Sequence, residues 1–399
     1  MKSLEFIFFV SFFILFYSYF GYGIMLFVIV KLKSLFKKSK SFDKTYEPEI
    51  TLVVPCYNEA YIIEQKISNS LDLEYPKSKL NLVFVTDGST DSSMELLSRY
   101  PSVTTFHISR RSGKTAAENR VMQFINTPIV VFTDANTLLN KEALRNLVKH
   151  FSDDKVGCVS GEKRIFTKTA DVASAAGEGM YWKYESVLKK LDYQLNSAVG
   201  AAGELVAYRT ELFEQLPEDT ILDDFTQSMI IASKGYKIAY EPKAYAIETA
   251  SESVGEELKR KIRISAGGWQ SIDRLGQYLS CIKSPLLYFQ YFSHRVLRWT
   301  ITPFLLIILF AVNWPLAMHS HFYKNIFMCH IMFYVCASAG FLLQQKNIKI
   351  KAFFIPYYFF IMNYAVVIGL IRFLNGSQSA VWEKNKRMDT SINHRRVAA

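Results

Sequence analysis

"VFVTDGSTDSSMELL", residues 83–97, decides the fold. It is the end of an apolar run, "LNLVFVT" (80–86), that stops at Asp87 and Gly88 and then enters a helical pattern from Asp91 to Arg99, with Glu95 in the first turn or so. A buried strand that closes on a glycine turn and feeds a helix is the repeating unit of an α/β sheet. The unit recurs. "ITLVVP" (50–55) precedes a helix from about Glu59 to Leu71, "VTTFHIS" (103–109) one from Lys114 to Ile125, and "PIVVFTD" (128–134) one from Lys141 to Phe151. The expected class is therefore α/β with a mostly parallel central sheet.

In such sheets, polar groups at the C-terminal strand ends line the crevice where ligands bind. That rule selects Pro55, Cys56, Tyr57, Asn58 and Glu59 after the first strand, Thr86 to Ser89 after the second, and Asp134 to Asn136 after the fourth. Asp and Asn also cap helices at such places. Asp91 is assigned to that duty, whereas Asp87 stands on the strand end itself and is assigned to ligand binding.

Around this core the chain is apolar in blocks. Phe6 to Val30 carries no charge, enough at ~1.5 Å per residue to cross the ~30 Å core of a bilayer. It runs into Lys31, Lys33, Lys37, Lys38 and Lys40, which marks an anchor rather than a cleaved leader. Three more apolar segments follow at Thr300–Met318, Ile326–Leu343 and Ala352–Ile371. The formal charge of +11 is attributed to membrane flanks, so nucleic acid is not an expected partner. The same charge bias places the central domain on the cytoplasmic side of an inner or plasma membrane. Three full C-terminal crossings would carry the basic tail outside, so either one segment does not cross or the tail violates the bias. Asn313, Asn363 and Arg372 are too few polar groups for a channel. Five cysteines without CxxC spacing are read as thiols, with no metal and no disulfide. The expected divisions are an anchor (1–30), a basic linker (31–47), a cytoplasmic domain (48–258), an interfacial amphipathic segment (259–299), two or three spans (300–374) and a basic tail (375–399).

With these residues placed, the domain resembles the inverting family 2 nucleotide-sugar glycosyltransferases of GT-A fold. The likeness is greatest to the membrane-embedded relatives of cellulose, hyaluronan and poly-N-acetylglucosamine synthases. The resemblance implies that Pro55, Tyr57 and Glu59 of "VVPCYNEA" (53–60) surround the donor nucleoside and that Asp87 of "TDGSTD" (86–91) meets the base. Thr86 stands where the family often has an acid. "RRSGKTAAENR" (110–120) resembles the segment in which a Gly-Lys pair opens a helix near the donor; a helix N-terminus and the Lys114 ammonium both favour a diphosphate. A triphosphate P-loop is excluded, because position 108 is Ile where that pattern needs Gly.

"FTDANT" (132–137) resembles the family's metal motif, which implies Asp134 and Asn136 as ligands of Mg²⁺ or Mn²⁺, with Asp134 also facing the donor. The amide at Asn136 brings no charge. In "ILDDFTQSMIIASKGYKIAYEP" (221–242) the carry-over makes Asp224 the general base and Asp223 its support, ahead of a helix expected from Phe225. An ionised Asp needs no unusual pKa for that role. "KRKIRISAGGWQ" (259–270) supplies Arg260 and Arg263 at the spacing of the family's basic motif, for a diphosphate or lipid headgroups, but Ile264 replaces its Trp, which counts against processive synthesis. Gly203 in "GAAGELVAYR" (200–209) lies on the acceptor side, and "WEKNKR" (382–387) is similar to an element after the last span. The implied partners are a nucleotide diphosphate sugar, UDP-linked, a polysaccharide or polyprenyl-linked acceptor, and membrane lipids. A protein that keeps this fold without catalysis is the other reading, since Thr86, Asn136 and Asp223 all depart from the pattern; Asp87, Asp134 and Asp224 surviving together argue against it.

Overall fold

A computed structural model describes residues 1–36, 42–43, 45–166, 173–249, 251, 253–280, 283–345 and 350–381, without the side chains of 173–178 and 180. Lys37, Lys38, Lys40 and the "WEKNKR" stretch lie outside the described residues.

Eight strands form one sheet: β1 (Ile50–Cys56), β2 (Leu80–Asp87), β3 (Thr104–Ile108), β4 (Ile129–Phe132), β5 (Leu138–Leu139), β6 (Val156–Phe166), β7 (Val206–Arg209) and β8 (Lys237–Thr249), in the order β3-β2-β1-β4-β7-β6-β8-β5. The first four expected strands are adjacent and parallel. Beyond them β7 runs antiparallel between β4 and β6, while β6 and β8 pair in parallel. Successive strand residues face opposite layers, as the pleat requires. Leu52 and Val54 join one core with Ile67 and Leu147, and Val53 joins the other with Val121 and Met229.

The helices are α1 (Lys2–Phe16), α2 (Tyr22–Phe36), α3 (Ile63–Leu71), α4 (Ser93–Ser98), α5 (Lys114–Met122), α6 (Ala143–Val148), α7 (Ala173–Leu195), α8 (Asp223–Ser233), α9 (Val254–Leu275), α10 (Pro285–Tyr291), α11 (Leu297–Trp299), α12 (Ile301–Ala317), α13 (His321–Gln345) and α14 (Lys351–Leu374). Two of the early helices start later than the sequence pattern indicates, for a shared reason. The two loops exchange the amides that precede the helices: Asn58 N donates to Ser89 Oγ (3.1 Å), Glu59 N to Ser93 Oγ (3.0 Å) and Ala60 N to Asp91 Oδ2 (3.1 Å), while Thr90 N (2.8 Å) and Asp91 N (3.3 Å) donate to Asn58 Oδ1. Asp91 therefore does more than begin its own helix. Its Oδ1 accepts from Ser93 N (3.0 Å), and α4 starts at Ser93.

Helix α1, a π turn (Tyr17–Gly21) and α2 form one apolar helix of 35 residues, and α13 and α14 are also long and apolar enough to cross a membrane. The α10–α11 stretch and α12 make a pair bent by 54°, which counts as a fourth candidate only if the two halves are one broken span. Helix α9 runs unbroken through position 258, where the sequence reading divided the domain from an interfacial segment. Its N-cap is Ser253, whose Oγ accepts from Glu256 N (3.2 Å). It touches both α8 and α14. A methyl group on Gly369 of α14 would lie 2.5 Å from Ser265 Cβ, and one on Gly267 would lie 2.7 Å from Leu222 Cγ. Glycine at both places lets α9 pack closely against α14 on one side and against the residues that open α8 on the other.

Candidate active site

Strand β2 delivers Asp87 to the sheet edge, where it is 5% exposed. Its Oδ2 accepts from the amides of Ser112 (2.9 Å) and Gly113 (2.6 Å), and Oδ1 pairs with Arg120 (2.7 Å). The carboxylate thus holds the loop that opens α5. Gly88 closes the other side at φ +69, with Arg111 backbone atoms 2.7 and 2.8 Å from where a Cβ would stand, so only glycine fits. Arg111 in turn lies 3.7 Å from the centre of the Tyr57 ring. Pro55, Tyr57, Asp87 and Arg111 line a shallow pocket that also reaches Lys114. Glu59 is buried behind it. Thr86 faces away, fully buried, with its Oγ1 2.8 Å from His107 Nδ1.

Gly113, at φ +102, is the N-cap of α5, and Lys114 is the first residue of that helix. Its ammonium sits among three acids: Asp134 Oδ1 at 2.9 Å, Asp223 Oδ2 at 3.8 Å and Glu118 Oε1 at 3.9 Å. Burial opposes its charge, but the carboxylates, Asp134 above all, outweigh that and hold Lys114 well above the usual lysine range. Burial, then Asp223, pushes Glu118 well up. Burial also raises Asp134, against the pull of Lys114.

Lys114, Asp134, Asn136, Gly203, Asp223, Asp224, Arg260 and Arg263 all line one cavity of about 190 Å³. The structure thus unites these eight, while Pro55, Tyr57 and Asp87 open onto the shallower pocket, joined to the cavity through Lys114. Asp224 lies in the first turn of α8, which starts at Asp223 rather than at Phe225. Burial, then the adjacent Asp223, raises its pKa to about 6, so this carboxyl is perturbed where the sequence reading required no perturbation. Gly203 passes beneath it. A methyl group there would stand 3.2 Å from Asp224 Oδ2 and 3.0 Å from Lys114 Nζ. Gly200, at φ +79, is equally constrained, since a Cβ would fall 2.1 Å from the Phe225 ring.

Asp134 and Asn136 offer two oxygens to a cation. Asn136 Nδ2 donates to Glu248 Oε1 (3.4 Å), while its Oδ1 is buried and has no hydrogen-bond partner among the described residues. An orphaned buried amide oxygen beside a carboxylate fits a hard divalent ion that takes its other ligands from a diphosphate and water. No cluster of three or more His, Cys, Asp or Glu suited to a metal occurs among the described residues.

On α9, Arg260 pairs with Glu257 (3.0 Å). Arg263 has no hydrogen-bond or ion-pair partner among the described residues, and burial lowers its pKa. Lys261 of the same basic cluster also lines the cavity, 4.1 Å from the Tyr181 ring. Two features escape the sequence pattern. Lys163, clamped between the lining residues Glu204 and Glu248, lies 5.0 Å from the Trp182 ring. Trp299 brings an indole to the cavity, 5.1 Å from Phe225 between ring centres, on the short helix α11 that precedes the apolar α12. No local motif flags it, because it arrives 35 positions after Ile264.

Residues 48–267 match the family model described as glycosyltransferase like family 2. Poly-beta-1,6-N-acetyl-D-glucosamine synthase of Staphylococcus aureus (strain COL) is 28% identical over 245 residues, covering 59% of this chain and 58% of that protein. Its counterpart in Staphylococcus epidermidis is 25% identical over 248 residues, with 60% and 58% covered. The match thus spans under two thirds of the length of these relatives. Among solved structures, the mannosyltransferase PcManGT of Pyrobaculum calidifontis, in complex with GDP-Man and Mn²⁺, superposes with a TM-score of 0.70 at 25% identity, covering 93% of this chain and 99% of that one. With its family match extending over more than half its length, its GT-A sheet and its apolar helices, the chain belongs to glycosyltransferase family 2 and is a glycosyltransferase.

Proposed function

We propose that this enzyme transfers a hexose or N-acetylhexosamine, with inversion, from a nucleoside diphosphate sugar to a saccharide or lipid-linked acceptor at the cytoplasmic face of a cell membrane. One observation carries the reading: the Asp224 carboxylate and the Lys114 ammonium both close on Gly203 in a single cavity. A base and an anion-binding cation at such range suit a single displacement at an anomeric carbon.

In this reading the nucleoside occupies the shallow pocket at Pro55 and Tyr57, with Glu59 behind it, and Asp87 shapes that pocket by holding the 112–113 loop. The diphosphate lies toward Lys114, the first residue of α5, and toward Arg263. Asp224 takes the proton of the acceptor hydroxyl as that oxygen bonds to the anomeric carbon and the bond to the diphosphate breaks. A pKa of about 6 leaves it mostly ionised at neutral pH yet more basic than an exposed Asp. Asp223 supports by raising Asp224 and by facing Lys114, and Arg260 steadies the α9 wall through Glu257. Asp134 and Asn136 would hold Mg²⁺ or Mn²⁺, which when bound neutralises charge on the leaving diphosphate.

Support for the donor class comes from the relatives, a synthase of an N-acetylglucosamine polymer and a mannosyltransferase solved with GDP-Man. A UDP-linked donor is our first choice. The test is release of nucleoside diphosphate by the full chain in nanodiscs, offered UDP-N-acetylglucosamine, UDP-glucose and GDP-mannose in turn with Mn²⁺ or Mg²⁺. Turnover of one donor that is lost in Asp224→Asn is the expected result; silence with all of them would overturn the reading.

A further inference from the structure

The cavity that holds Asp224 also receives two cations for which the transfer chemistry above has no use. Lys189 of α7 is 4% exposed, lines the cavity and has no hydrogen-bond or ion-pair partner among the described residues. Arg295 is 7% exposed; one terminal nitrogen meets Glu185, but its Nε is buried with no partner among the described residues. The two lie close together. Burial first, and the Arg295 charge next, push the Lys189 pKa below the usual lysine range. Glu185, the acid of this wall, is already shared by Arg295, by His294 Nε2 at 3.2 Å and by Arg298 at 3.4 Å. An unpaired buried ammonium beside a second cation is a costly arrangement that an anion would relieve.

Two further features indicate from where the anion comes. Arg295 sits in a π turn, Phe292–Val296, a distortion that helices tend to keep at functional positions. That turn belongs to the α10–α11 half of the bent pair, whose other half is the apolar α12, so Arg295 stands just ahead of an apolar helix. The Arg295 guanidinium is also 5.4 Å from the centre of the Trp299 ring, which gives the subsite an apolar border.

We propose that Lys189 and Arg295 hold a phosphate group of the acceptor, so that the acceptor is a phosphate-bearing lipid and not a neutral sugar chain. This rests on the transfer reading: the lipid phosphate carries a sugar whose hydroxyl oxygen bonds to the anomeric carbon of the donor, its proton goes to Asp224, and the bond to the nucleoside diphosphate breaks. The same cations would also accept a free diphosphate, and the test separates the two sources.

The full chain in phosphatidylcholine nanodiscs is titrated with a long-chain isoprenyl monophosphate, with the corresponding isoprenol, and with inorganic pyrophosphate, and binding is read by native mass spectrometry. The expected result is binding of the isoprenyl phosphate but not the isoprenol, weakened about tenfold or more in Lys189→Met, as loss of a charged hydrogen-bond donor implies, and largely restored in Lys189→Arg. Binding of pyrophosphate alone, with the same dependence on Lys189, would keep the anion subsite but assign it to the leaving diphosphate, which overturns the lipid acceptor. Equal affinity of the wild type and Lys189→Met for the isoprenyl phosphate, or equal affinity for phosphate and alcohol, overturns the subsite itself. A thermal unfolding curve for each variant identifies misfolding, and Lys189→Arg then carries the test. Since binding needs no turnover, the two readings fail separately: Lys189-dependent binding without transfer from any donor would remove the transfer reading, and transfer to a neutral oligosaccharide with no phosphate binding would remove the subsite.

Discussion

Lys114 Nζ lies 2.9 Å from Asp134 Oδ1, and both side chains are 17% exposed. The pair joins the start of α5 to the loop after β4. It also sets the charge of the cavity, because Asp223 and Glu118 share the same ammonium.

Replacing Lys114 with Met leaves three buried acids facing one another without a cation. Removing one partner of a buried ion pair costs ~3–5 kcal/mol. Thermal unfolding of the full chain in nanodiscs should show the loss, partly recovered in Lys114→Arg. Donor turnover should fall by about 100-fold or more, as removing a charged transition-state contact implies.

Asp224→Asn should abolish transfer while donor affinity, measured by equilibrium binding of the nucleoside diphosphate, changes little. In the wild type kcat/KM should rise with pH through about 6 and level off, since the base works only when ionised. Stability runs the other way. A carboxyl whose pKa is higher in the folded state than the ordinary 3.8 is fully tolerated below pH 4 and costs stability as pH climbs from about 4 to 6. Removing that charge in Asp224→Asn should therefore stabilise the protein at pH 7.5 by roughly 2–3 kcal/mol, read from denaturation at pH 7.5 and absent at pH 4.

Asn136→Asp adds a carboxylate beside Glu248, whose Oε1 now accepts from the Asn136 amide at 3.4 Å. Without metal the variant should melt lower than the wild type. With Mn²⁺ its melting temperature should rise more steeply, reflecting affinity about tenfold higher or more for one added charged ligand. Equal Mn²⁺ responses in both proteins would count against ligation at position 136.

Gly200→Ala places a Cβ 2.1 Å from the Phe225 ring at a backbone angle that alanine resists. Displacing Phe225 moves the first turn of α8 and Asp224 with it. We expect ~1–3 kcal/mol of lost stability from overpacking and a larger fractional loss in kcat than in donor binding.

The first four strands and the acids at their ends were legible in the sequence because they depend on short-range chemistry. Burial on both faces of the sheet writes a continuous apolar run such as Leu52, Val53 and Val54, and a strand end announces itself by the switch from apolar residues to Asp87-Gly88 or Asp134. The Gly113-Lys114 helix start is local in the same way, since only glycine holds φ at +102 with ease. Asp91 shows where this reasoning stops. Its local pattern describes a helix start, but its second oxygen accepts from Ala60, a residue of a different loop.

By itself, then, the sequence determined the class of the domain, the apolar helices around it and the set of acids and cations from which a site could be built. Tertiary structure alone decided how those groups act on one another. Asp224 is raised because burial removes water from it and Asp223 adds a like charge, Lys114 is held charged by acids from three elements, and Trp299, Lys189 and Arg295 reach the cavity from helices remote in the chain. Desolvation and long-range charge coupling depend on which distant segments close over a side chain, and no local run of residues encodes that.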